Sequence, residues 1–142
     1  LRELGRLRLV TSLNPGRAVG QLYCHTPKGR RLMKVAFDVI IPPVPGTFPW
    51  SDYSYVICGR LRRRILQGVQ RLNPGNTGDG VDVRNLKRWM ADSLPVSANA
   101  LARVLHELLH RGLVRREARR KTRAFSYWLT ETGQEIVTQL DR

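Results

Sequence analysis

Two segments of the chain repeat one another in register. Leu1-x-Glu3-Leu4, Leu9-Val10 and Tyr23-x-x-Thr26-x-x-Gly29 return as Leu105-x-Glu107-Leu108, Leu113-Val114 and Tyr127-x-x-Thr130-x-x-Gly133. Every counterpart stands at the same offset of 104 (127 − 23), with no gap. Agreement in register across variable intervening residues constrains the chain to one structural unit used twice. The first copy starts inside that unit, at Leu1 and without an initiator Met. Residues upstream of it are therefore expected to have been removed or to be absent here.

The second copy is longer and can be read element by element. Ile57, Leu61, Ile65, Leu66, Val69 and Leu72 keep the three-to-four spacing of a buried stripe, predicting one helix over 54–72. Consecutive turn formers from Asn73 to Gly80 stop it. Asp82 is placed to cap a second helix with Val83, Leu86, Trp89 or Met90, and Leu94 inward, ended by Pro95. Ser97 can cap a third, in which Leu101, Val104, Leu105 and Leu108 form an i, i+3, i+4, i+7 face. Arg111-Gly112 closes it. Residues 113–116 and 125–129 alternate as strands around a polar turn at 118–122. Thr130 and Glu131 suit the start of a last helix, with Thr132-x-x-Glu135 as an alternative capping box; Ile136, Val137 and Leu140 form its buried side.

In the first copy, residues 1–5 correspond to the end of the third helix, and Leu9-Val10 and 21–24 to strands around Asn14-Pro15-Gly16-Arg17. Thr26-Pro27 supplies an N-cap and an N1 proline for a helix through about Phe37. Pro42, Pro43, Pro45 and Pro49 then mark an extended, semi-rigid stretch. The expected fold class is mostly α with small β-hairpins, an α+β arrangement. Its divisions are a partial module over 1–37, a linker over 38–52 and a complete module over 53–142.

Charge narrows the partners. Lys plus Arg number 25 against 11 Asp plus Glu, a formal net charge of +14, and all but four of the cations are Arg. So large an excess on a small surface favours polyanions, and guanidinium forks suit phosphate and guanine edges. A generally basic surface, genome composition or thermal adaptation would leave the same bias. Cys24 and Cys58 are too few for a disulfide framework or a four-ligand zinc site, and are expected as small core residues in a reducing compartment. The most apolar run, 35–44, is broken by Asp38, Pro42 and Pro43, so neither a secretory signal nor a membrane span is expected. A cytoplasmic location is expected.

The run Leu101-x-x-Val104-Leu105-x-x-Leu108-x-x-x-Gly112-Leu113-Val114, a basic hairpin, then Tyr127-x-Leu129-Thr130-x-x-Gly133 is specific in combination. It resembles the winged helix-turn-helix domains of MarR-like and related prokaryotic and archaeal transcriptional regulators. The resemblance covers about 90 residues well and the first 37 in part, suggesting a tandem arrangement. The first copy departs from it with His25 where Leu129 stands and Arg8 where Gly112 stands.

That resemblance implies a third helix, 97–111, lying in the major groove of duplex DNA. Ser97, Asn99, Ala100, Arg103 and His106, with His110 beyond them, would then face the bases. Asn99 could pair with adenine, or serve only as a solvent-facing or capping residue. Arg103 suits a phosphate better than a base, since most contacts go to the backbone. The wing, 115–123, carries Arg115, Arg116, Arg119, Arg120, Lys121 and Arg123 against Glu117, a density suited to phosphates or the minor groove. Arg60, Arg62, Arg63 and Arg64 cannot share one helical face; Arg84, Lys87 and Arg88 could touch backbone. Half-site recognition implies a homodimer or the use of both modules in one chain.

His106-Glu107-Leu108-Leu109-His110 also fits the zinc-peptidase pattern His-Glu-x-x-His. The longer metzincin form needs Gly at 113 and His at 116, where Leu113 and Arg116 stand, and the first copy carries Arg2 and Arg6 in place of the two imidazoles. A chance match on a helix is the expectation, with no catalytic residue, metal or cofactor. Other readings of the basic surface are RNA binding and a protein-contact module in a transcription or replication assembly.

Overall fold

The computed structural model describes residues 1–120 and 124–142. Among them it is an α+β structure of seven helices and two small antiparallel sheets, divided into two compact units, 1–58 and 59–142.

The first unit runs α1 (Arg2–Arg6), β1 (Val10–Ser12), β2 (Tyr23–His25), α2 (Pro27–Phe37) and α3 (Trp50–Ile57). β1 and β2 pair antiparallel, Val10 opposite His25 and Ser12 opposite Tyr23. The side chain of buried Asn14 fixes the loop between them: its Nδ2 donates to the Gly20 carbonyl (2.9 Å) and its Oδ1 accepts from Leu22 N (2.7 Å). The helix expected through Phe37 ends there, on Asp38 in the left-handed region. Along the proline-bearing stretch regular structure is absent from 38 to 49; α3 starts at Trp50, inside the span expected to be linker.

The second unit runs α4 (Arg60–Leu72), β3 (Val81–Asp82), α5 (Val83–Met90), α6 (Ala98–His110), β4 (Val114–Ala118), β5 (Phe125–Leu129) and α7 (Glu131–Leu140). Its sheet has the order β3-β5-β4, with Val114 opposite Leu129 and Ala118 opposite Phe125. Ile65, Leu66, Leu86, Met90, Leu101, Leu105, Leu108, Leu113, Leu129 and Ile136 are fully buried and form its core. At about 25 cal/mol per Å² of apolar surface, these side chains dominate the stability of the unit.

The repeat is reproduced bond for bond. Thr26 Oγ1 accepts from Gly29 N (3.1 Å) and donates to the Arg8 carbonyl (2.6 Å); Thr130 Oγ1 accepts from Gly133 N (3.1 Å) and donates to the Gly112 carbonyl (2.6 Å). Thr26 N meets Leu9 O at 3.0 Å, and Thr130 N meets Leu113 O at 3.1 Å. A Cβ on Gly29 or Gly133 would collide with the carbonyl of Leu9 or Leu113, so the glycine of the motif allows the helix to sit against the residue that leads into the first strand. Arg8 and Gly112 both take positive φ, 57° and 71°. The departure of Arg8 from the glycine pattern thus keeps the backbone geometry and adds steric cost.

Several expectations are corrected. The single helix over 54–72 is two, α3 and α4, interrupted at Cys58 and Gly59, where Gly59 is extended (φ −124°, ψ 111°). Continuous apolar spacing hid that break. The second helix ends at Met90, four residues before Leu94, through a turn in which Ser93 N and Leu94 N both bond the Met90 carbonyl. β3 had no sequence signal, being two residues long; it exists because Val81 and Asp82 find Tyr127 and Ser126 on β5. Neither cysteine is a core residue: Cys24 is half-buried and Cys58, at the end of α3, is exposed. Among the described residues no helix is long and apolar enough to cross a membrane.

Candidate nucleic-acid interface

Burial of Leu101, Val104, Leu105 and Leu108 fixes how α6 is rotated. At 100° per residue the opposite side is then Asn99, Arg103, His106 and His110, and all four are exposed. Arg103 forms no ion pair among the described residues. The His106 and His110 rings lie 6.0 Å apart on adjacent turns. Ser97 is the N-cap, its Oγ accepting from Ala100 N at 3.1 Å, so that oxygen is engaged in holding the helix start. Ala100 is half-buried on the flank away from the outer stripe.

A groove of about 770 Å³ runs beside α6. Ala98, Ala102 and His106 form one wall, Arg116, Phe125 and Tyr127 of the hairpin the other, and Arg84 and Lys87 of α5 contribute cations to it. The groove stays open because Ala98 and Ala102 are small. Those two alanines, and the aromatic wall of β5, were not singled out from the sequence; their i, i+4 spacing was the available signal.

The hairpin sorts its cations by strand alternation. Arg115 shares a face with Glu117 and Trp128: its Nη1 is 3.2 Å from Glu117 Oε1 and its guanidinium 4.6 Å from the Trp128 ring centre. Arg116, on the groove face, lies 4.2 Å over Phe125. Arg119, though exposed, is engaged, with Nη1 3.2 Å from Asp82 Oδ2 and Nε donating to Ser126 Oγ at 2.9 Å. Arg120 is exposed and makes no such bond among the described residues. Lys121 and Arg123 lie outside the described residues.

The two imidazoles of the zinc-peptidase pattern point from the outer stripe, whereas Glu107 is half-buried and 3.9 Å from Arg62 of α4. Among the described residues no group of three or more His, Cys, Asp or Glu side chains is placed to hold a metal ion.

Comparison with protein-family models and with curated proteins finds no match for this chain.

Proposed function

We propose that the chain is a transcriptional regulator that binds duplex DNA through a winged helix-turn-helix module, with α6 in the major groove and the β4–β5 hairpin as its wing. The observation that carries this reading is the outer stripe of α6: Asn99, Arg103, His106 and His110 are exposed along one line, opposite a fully buried face. A helix carrying such a surface fits a major groove, with the Asn99 amide suited to an adenine edge and the Arg103 guanidinium to a phosphate beside it. The groove between α6 and the hairpin would take the intervening phosphate strand, with Arg116, Arg84 and Lys87 beside it. Arg115 and Arg120 would serve the backbone on the far side of the wing. Two half-sites would be met by two copies of the chain or by the module and its repeat, and a place beside the nucleoid goes with this role.

A mobility-shift titration with fragments of the source genome, with duplex RNA as competitor, tests the proposal. Retarded complexes that survive a molar excess of duplex RNA are expected. No retardation at micromolar protein and 50 mM salt, or displacement by equimolar RNA, contradicts it (about 10⁻⁴–10⁻⁶ M is already the range of sequence-independent DNA binding).

A further inference from the structure

A second basic depression, of about 410 Å³, lies at the start of α4 and shares no lining residue with the α6–hairpin groove. Arg60, Arg63 and Arg64 line it together with Gln67, Ser93 and Leu140. Of the four arginines clustered in the sequence there, Arg62 is drawn away to Glu107. The other three have no carboxylate partner among the described residues.

Two of the three are held in position by one residue. Ser93 Oγ accepts from Arg64 Nε at 3.0 Å, and the Ser93 carbonyl accepts from Arg60 Nη2 at 3.4 Å. Arg64 is further fixed 4.0 Å over the Trp89 ring. Arg63 is exposed and uncommitted. The carboxylate of Asp141 is engaged by Gln67 Nε2 (3.3 Å) instead of by an arginine. In the same unit Arg62, Arg115 and Arg119 each face an acid, whereas Arg103 and Arg120, like Arg60, Arg63 and Arg64, do not among the described residues.

Three like charges around one concavity repel each other, and the repulsion is felt more strongly beside a protein wall than in bulk water. An anion seated among them reverses the sign of the interaction. Guanidinium groups present planar, paired donors that match the oxygens of a phosphate better than those of a halide. Preorganisation by Ser93 and Trp89 lowers the side-chain entropy lost when the ligand binds. We propose that Arg60, Arg63 and Arg64 form a binding site for a phosphate-bearing anion, separate from the surface offered by α6. The inference does not depend on the duplex-binding reading.

The test is titration of the full chain with inorganic pyrophosphate at constant ionic strength, followed by phosphorus NMR. Saturable binding is expected, weakened about tenfold or more in Arg63→Gln, since a charge-assisted bond is lost. Arg71→Gln, which removes an exposed arginine from the other end of α4, should bind as wild type. Non-saturable binding, or equal losses in Arg63→Gln and Arg71→Gln, overturns the site and leaves only diffuse attraction to a cationic protein. Arg63 is exposed and uncommitted, so its replacement spares the fold; an unchanged thermal midpoint checks this. A parallel measurement with duplex DNA identifies the source of the phosphate. Loss of duplex affinity in Arg63→Gln alone assigns the site to a nucleic-acid backbone; retention of duplex affinity with loss of pyrophosphate assigns it to a free phosphorylated ligand.

Discussion

Side by side at the end of β4, Arg119 bonds Asp82 and Ser126 while Arg120 bonds neither, so their replacement should read out differently. Arg119→Ala removes a half-exposed ion pair that ties the hairpin to the start of α5, and should lower stability by up to about 1 kcal/mol in urea denaturation. Arg120→Ala should leave stability unchanged and reduce the salt dependence of duplex binding by about one unit of slope, if it meets a phosphate. Asn99 is expected to differ from both. Its loss in Asn99→Ala should cost about 1–3 kcal/mol of discrimination between a selected operator and a random duplex, measured by competition binding. Equal weakening on both duplexes would remove Asn99 from base readout.

In the repeated turn a threonine caps a helix and bonds back to the preceding carbonyl, and a glycine lets that helix touch the residue leading into the first strand. Gly133→Ala should therefore destabilise the second unit by about 3 kcal/mol or more, because the obstruction is a backbone carbonyl that cannot rotate away. Thr130→Ala should cost about 1 kcal/mol, the usual worth of an N-cap. Thermal unfolding of each variant checks both values, and an unperturbed Gly133→Ala would contradict the close approach. The cap and the buried stripe of α6 were legible in the sequence because they are local, whereas the threonine's bond to the Gly112 carbonyl and the glycine's approach to Leu113 join residues far apart in the chain. The break at Gly59 was not legible, since Ile57 and Leu61 keep a helical spacing across it. Nor was β3, whose two residues depend on β5 more than 40 positions later. The site divides in the same way. The outward residues of α6 follow from its inward ones, whereas the capture of Arg119 by Asp82 joins residues with no shared pattern.

At the scale of the whole molecule, a formal charge of +14 must attract any polyanion to some degree, and charge alone distinguishes none of them. What bears on the partner is how the cations are spread over the second unit. Arg103 lies on the outer stripe of α6, Arg84, Lys87 and Arg116 border the groove, and Arg120 extends the hairpin. If the proposed docking is right, these five side chains would meet about five phosphates of one duplex. The most direct test is fluorescence anisotropy of a labelled duplex titrated with the chain over a series of salt concentrations. Neutralising about five phosphates gives a slope of log affinity against log salt near −4 to −5. A slope close to zero, or no binding at low salt, contradicts the placing of α6 and its hairpin on duplex DNA.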